Sequence, residues 1–303
     1  MSKKTSKFVQ PTWGADPEFF AAYEDAGNMY IMPPVVFRTD HGVETTIEDT
    51  DIDQRHPVFK FYEEAKVHED GAAFEMSVRP SKDWKELWNL INDTKKRFAQ
   101  DVLGNFDICD PCLYSIPTMN WQVERWLSRG KDFDLATRFG CDPDYDAFDM
   151  EKACKDIDAR LWPYRYAGGH IHVSGIPGIM ERPLDAVKSM VITAGLAAMA
   201  YSDNPDLDRA RTGLYGMPGK FRPQNYPDGT HGVEYRTVST RWTNSMALAE
   251  KVFTWATIGM TSMFQGNLLE KLEALVLEDA KRAIVKVDQP EALRILAYIE
   301  TYV

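Results

Sequence analysis

The stretch Gly168-Gly169-His170-Ile171-His172-Val173-Ser174-Gly175 constrains the chain most. Read as a strand, its alternation sends both imidazoles to one face and Ile171 and Val173 to the other. One side must meet an apolar core, while the other offers ring nitrogens to a metal or a phosphate. The flanking glycines let the backbone come close to a phosphate or a neighbouring strand.

Other stretches have the same two-sided character. Residues 13–23 alternate apolar and polar, with Asp16 and Glu18 on one face, and 29–32 read as the returning strand of a hairpin. Residues 69–80 read as a turn followed by a strand that puts Glu75, Ser77 and Arg79 on one side. Residues 232–239 read as a strand with Glu234, Arg236 and Val238 on one face. Residues 139–148 echo residues 14–23, consistent with two strands built alike in one sheet.

Helices come between and after these strands. Asp83-Trp84-Lys85-Glu86 has the spacing of a capping box, and Trp84, Leu87, Trp88, Ile91, Phe98 and Val102 follow a helical period. Residues 120–128 read as a short helix and 184–202 as a helix apolar on most of its surface, hence central. Residues 245–302 read as helical in about three pieces, with a break near Gly266-Asn267 and a start at Pro290. Residues 33–67 show no clear period and read as loop with short elements, 104–117 as strand and turn, and 209–228 as a long functional loop. Residues 1–11 read as a flexible lead-in, and with no linker in view 12–303 read as a single domain.

Composition removes several classes of function. The formal net charge of −11 argues against non-specific binding to nucleic acid or to an anionic membrane. The longest apolar run, 191–200, is far shorter than the roughly 20 residues that span a bilayer. No apolar segment follows the basic first residues, so the expectation is a cytoplasmic protein. Cys109, Cys112, Cys141 and Cys154 are too few for a disulfide framework, and one Cys-x-x-Cys without a matching second pair favours free thiols over zinc. Neither a P-loop, a dinucleotide-binding glycine motif nor a nucleophile elbow is present. Nucleotide use would therefore run through metals on a sheet, with Arg209, Arg211, Lys220, Arg222, Arg236 and Arg241 as nearby positive charge.

Taken in order, Gly14-Ala15-Asp16-Pro17-Glu18-Phe19, Asp70-Gly71 with Glu75, Gly168-Gly169-His170-Ile171-His172, Tyr215-Gly216 with Gly219 and Arg222, and Glu234-Tyr235-Arg236 with Ser239 resemble the phage-type carboxylate-amine ligases. The resemblance covers about residues 13–242 and implies an α+β fold, glutamine-synthetase-like, with a curved antiparallel sheet and helices packed on one face. It implies ATP and Mg²⁺ as cofactors, with Mn²⁺ as a substitute, and an amide bond formed through an acyl phosphate. Asp16, Glu18, Glu75, His170 and Glu234 would be the metal ligands, with Asp-x-Glu standing where the glutamine-synthetase pattern has Glu-x-Glu. His170 and His172, of which His170 is the favoured direct contact, would join Arg209, Arg211, Arg222 and Arg236 around the phosphates. Glu75, Arg222, Glu234 and Arg236 would carry the chemistry.

The expected partners are a carboxylate and an amine, the latter on a peptide, a protein or a small compound, with neither nucleic acid nor membrane; a homo-oligomer stays open. Two other readings stand beside this one. In one the protein is a non-catalytic phage assembly or binding module that keeps the fold, and in the other two histidines and a carboxylate hold iron.

Overall fold

The computed structural model describes residues 8–40, 42–47, 57–104, 112–121, 128, 145–149, 162–212, 214–226 and 229–303. Its strands are β1 (Thr12–Asp25), β2 (Asn28–Met32), β3 (Thr46–Ile47), β4 (Pro57–Phe61), β5 (Ala65–Asp70), β6 (Ala73–Val78), β7 (Cys112–Tyr114), β8 (Thr118–Asn120), β9 (Tyr145–Asp146), β10 (Tyr164–Tyr166), β11 (Gly169–Ser174), β12 (Lys220–Asn225) and β13 (His231–Tyr235). The helices are α1 (Pro34–Thr39), α2 (Trp84–Phe98), α3 (Pro183–Met190), α4 (Leu196–Ala200), α5 (Pro205–Thr212), α6 (Met246–Ile258), α7 (Leu269–Lys286) and α8 (Gln289–Glu300).

One large sheet runs in the order β3-β4-β5-β6-β1-β11-β13-β12-β9, with β2 and β7 also paired to β1. Each of these pairings is antiparallel. The sheet does not close into a barrel, and the architecture is α+β, as the sequence implied. The long strand β1 organises it. The first half of β1 pairs with β11, its middle with β6, and its second half with β2 and β7.

The alternation read from the sequence sets which face is buried. Ala15, Phe19, Ile171, Val173, Val233 and Tyr235 point into a core shared with α2, α3, α6 and α7. In α2, Leu87, Ile91, Thr94 and Phe98 lie on the buried side, and Asp83 caps the first turn by accepting from Lys85 N at 2.9 Å. The reciprocal half of the expected capping box does not form. Glu86 instead accepts from Arg79 and from Ser81 Oγ, because the chain entering the helix brings both donors to its carboxylate.

Several expectations change at the level of elements. Residues 33–67 do hold short elements, α1, β3, β4 and the start of β5, but β5 runs on to Asp70; the charges of Lys66, His68, Glu69 and Asp70 hide its strand period, and buried Glu69 meets Arg38 at 3.6 Å. Residues 209–228 are not one loop. Pro205 opens α5, Asp206 and Asp208 lie in its first turn and Arg209 and Arg211 in its last, and β12 follows. The strand expected over 232–239 leaves the ladder after Tyr235, where Arg211 takes the carbonyls of Arg236 and Thr237. Residues 118–120 form strand β8 where a helix was expected to begin, and 122–127 lie outside the described residues. So do 139–144 of the echoed stretch, along with Cys109, Cys141 and Cys154; β9, its described part, joins the sheet edge beside β12.

Among the described residues, the stretch Pro183–Ala200 is long and apolar enough to cross a membrane by composition, yet 78% of it is buried within the protein. It forms α3, a wider π turn at Val191–Gly195 and α4, and it backs the sheet through contacts with β13.

The two glycines before His170 have separate steric reasons. A Cβ on Gly169 would stand 2.5 Å from the Ser239 carbonyl oxygen and 2.7 Å from both Thr240 Cα and Trp242 Nε1. That nitrogen donates to the Gly169 carbonyl at 2.8 Å, tying the strand to a tryptophan packed edge-on against Phe253. A Cβ on Gly168 would meet the His170 ring at 2.2 Å. Backbone cannot yield as a flexible side chain does, so Gly169→Ala should destabilise the fold by about 1–3 kcal/mol, seen as a lower urea midpoint at unchanged slope.

Candidate active site

Strand register assembles the polar face of the sheet. Across β4, β5, β6 and β1, Val58 pairs with His68, His68 with Glu75, and Glu75 with Glu18. Across β1, β11, β13 and β12, Gly14 pairs with His172, His172 with Glu234, and Glu234 with Arg222. Asp16 faces His170 between these two rows. Groups from six strands, far apart in sequence, thus lie on one surface.

Two sets of ligand-type atoms converge there. Glu18, Asp70 and Glu75 form one, and Asp16, His172 and Glu234 the other; within each, the atoms lie within 4.8 Å of one another. His170 is buried between the sets. Its Nδ1 lies 3.3 Å from Asp16 Oδ1 and 3.3 Å from Glu234 Oε1, and its Nε2 lies 3.8 Å from Glu18 Oε1. Arg236 pairs with Glu234 and donates to Tyr215 Oη at 2.9 Å. Gly168 N donates to Glu18 Oε2 at 2.8 Å, and Glu18 N donates to the Gly168 carbonyl at 2.9 Å.

The electrostatics follow from burial and crowding. Burial pushes the Glu18 carboxyl up and, with Asp70 and Glu75 close by and only His170 and the Gly168 amide opposing, it reaches about 7. Burial also raises Asp16, but His172 and His170 outweigh it and hold that carboxyl at about 2. Burial acts upward on Glu234 too, while Arg236 and both histidines keep it well below the ordinary range. For His170, burial and the Arg236 charge oppose protonation, yet Asp16 and Glu234 bring it up to about 9. One set therefore holds excess negative charge, and the other is balanced internally.

The donors suit a hard divalent cation. Five carboxylates and one imidazole make up the two sets, and Mg²⁺ and Mn²⁺ take such oxygen-rich surroundings. Asp16 Oδ1 and His172 Nε2 are buried and make no directed hydrogen bond among the described residues, although His172 Nε2 lies 3.1 Å from Asp16 Oδ2. Buried ligand-type atoms that lack a directed hydrogen bond are what a cation site presents. On the far side of the ring, His172 Nδ1 lies 3.2 Å from Tyr226 Oη, which fixes the imidazole's orientation.

The structure sorts the residues expected from the sequence. Asp16, Glu18, Glu75, His170, His172, Glu234 and Arg236 come together, with Arg222 beside Glu234. His172, where His170 was favoured, joins the group with Asp16 and Glu234, because His170 sits deeper and spans both sets.

The basic cluster expected between 209 and 241 is not one patch. Arg209 is 51% exposed and bonds Asp206 and the Lys286 carbonyl, away from the site. Arg211 is fully buried and donates to the Thr237 carbonyl at 2.6 Å and the Arg236 carbonyl at 3.3 Å, so it holds backbone and does not reach for phosphate. Lys220 meets Asp146 at 3.7 Å, and Arg241 pairs with Asp203.

Sequence reading missed Asp70 and His68 as site residues, together with Tyr215, Gln224 and Tyr226. His68 and Asp70 carry the same one-residue gap as His170 and His172, a signal that a strand assignment for 65–70 would have exposed. Gln224 donates to Glu234 Oε2 at 2.5 Å.

Residues 160–296 match the sequence profile of a family described as phage phiEco32-like COOH-NH2 ligase type 2. The resemblance to carboxylate-amine ligases is borne out there. The matched stretch contains His170, His172, Arg222, Glu234 and Arg236, while Asp16, Glu18, Asp70 and Glu75 come from strands before it. No curated protein matches the chain.

The raised Glu18 carboxyl has a measurable consequence in cation-free protein. Between the ordinary 4.5 and about 7 the folded state holds this proton more tightly than the unfolded chain, so its contribution to stability falls as pH rises through that window. The stability difference between wild type and Glu18→Gln, measured by thermal unfolding with a chelator present, should therefore shift against the wild type from pH 4.5 to 7.

Proposed function

We propose that this protein is an ATP- and Mg²⁺-dependent ligase that joins a carboxylate to an amine through an acyl phosphate. The observation that carries the reading is the pair of ligand groups on one sheet face beside Arg236 and Arg222, in a chain matched over 160–296 to a carboxylate-amine ligase family. The antiparallel sheet also supports a glutamine-synthetase-like catalytic fold over residues 12–303, and the family description supports a phage origin.

Glu18, Asp70 and Glu75 would hold one cation, and Asp16, His172 and Glu234 a second, Mg²⁺ in each case with Mn²⁺ as a substitute. Bound cations would supply Lewis-acid charge to the phosphate oxygens. Arg236 and Arg222 would meet the charge on the transferred phosphoryl group, and preorganised cations of this kind act most strongly where charge develops. His170 keeps the two carboxylate sets in fixed relation and Tyr226 orients His172.

In the first step a substrate carboxylate oxygen attacks the terminal phosphorus of ATP and ADP leaves. In the second the amine attacks the acyl carbon, phosphate leaves, and the amine's proton passes to a carboxylate of the face or to the departing phosphate. The amine would belong to a peptide, a protein or a small amino compound, and the net charge of −11 argues against nucleic acid as the partner.

The iron reading finds less support. It needs two imidazoles and one carboxylate, whereas the group that holds His172 has one imidazole and two carboxylates. The non-catalytic reading is tested by nucleotide affinity, since a bare assembly module has no reason to bind MgATP.

Glu234 is shared by the second cation group and Arg236, so Glu234→Gln should abolish acid-dependent ADP formation, a loss of about 10²-fold or more, with the circular dichroism spectrum unchanged. Turnover equal to wild type would sink the role given to Glu234. Arg209→Ala is the matched control and should stay within about twofold of wild type, because surface contacts of this kind contribute little.

A further inference from the structure

We infer that Tyr215 is a positioning residue of this site, one that holds Arg236 toward the transferred phosphoryl group; the inference rests on the ligase reading above. Tyr215 lies in the turn between α5 and β12. Its ring stacks on Tyr166 with centroids 6.4 Å apart and planes 12° from parallel, and the Arg211 guanidinium lies 4.9 Å from its centroid. Arg211 is in turn fixed by the carbonyls of Arg236 and Thr237. Gly216 turns the chain with φ +73°, and a Cβ there would stand 2.0 Å from Arg211 Nη1. The ring thus has little freedom. Its oxygen is placed 2.9 Å from Arg236 Nη2 and 3.4 Å from His170 Nε2.

The phenol does something that Glu234 cannot. Glu234 neutralises Arg236 while it holds it, and a carboxylate that also binds a cation shares its charge and grips the arginine less firmly. A phenol oxygen is a neutral acceptor. It fixes the second edge of the guanidinium, leaves the positive charge available to a phosphate, and is unaffected when Glu234 takes on a cation. The contact should therefore matter most when charge develops on the phosphoryl group, and little for binding the remainder of the nucleotide.

The test is calorimetric titration of the whole protein with MgADP, and with MgADP plus aluminium fluoride, a mimic of the phosphoryl group in transfer. Wild type should bind the mimic complex more tightly than MgADP alone. Tyr215→Phe keeps the stacked ring; its affinity for the mimic complex should fall about tenfold, the scale of a hydrogen bond to a charged group, while MgADP affinity stays within about twofold. Its melting temperature should fall modestly for the lost acceptor, and Tyr215→Leu, which also removes the stack, should melt lower still.

Equal mimic affinity in wild type and Tyr215→Phe overturns the assignment. So do an equal loss for both ligands, a mimic that binds wild type no more tightly than MgADP, or a Phe variant that melts like the Leu variant. A wild type that does not bind MgADP at all defeats the ligase reading itself, and the role of Tyr215 falls with it.

Discussion

Buried like charge is the constraint around which this structure is arranged. Asp16, Glu18, Asp70, Glu75 and Glu234 share one face of the sheet, and water is largely excluded from Glu18 and Glu234. Carboxylates so placed repel one another and resist ionisation unless positive groups are interleaved with them. His170 and Arg236 provide that interleaving for one set, and the other set is left with excess negative charge. The apolar residues on the opposite face of the same strands hold these groups in place. A one-residue slip of β11 against β1 would bury both imidazoles in the core and bring Ile171 and Val173 out.

Which parts of this were legible in the sequence depended on alternation. Residues 12–19, 169–174 and 231–235 alternate because one face is apolar, and the site residues they carry could be named in advance; immediately beyond Phe19 the strand is apolar and buried on both faces. Residues 65–70 alternate as well, but Glu69 on the core side is a buried acid facing Arg38, so the apolar signal is broken; His68 escapes notice, and Asp70 stands in a motif without a site role. Long-range pairing is the other obscured quantity. Nothing local in the sequence states that Glu75 will lie across from Glu18 or Arg222 from Glu234.

The arginines show where composition misleads. Six basic residues between 209 and 241 look like a phosphate-binding cluster, but each takes the partner nearest in the fold. Arg209 is spent on a helix end and Arg211 on main-chain carbonyls, the latter fully buried, where unpaired guanidinium would be costly. Helical spacing separates them, since positions two apart on α5 face different sides. Only Arg222 and Arg236, on or directly following strands whose polar face is the site, are delivered to it.

The continuity of β1 reaches beyond topology. Asp16 and Glu18 belong to different ligand groups, yet they are neighbours on one side of one strand, roughly 6.8 Å apart along it at about 3.4 Å per residue. The two halves of the face are therefore joined by a rigid ruler of backbone and not by a hinge. Movement of loops around the sheet can open or cover the face but cannot alter that interval, and whatever bridges the two groups is measured against a length fixed by peptide geometry.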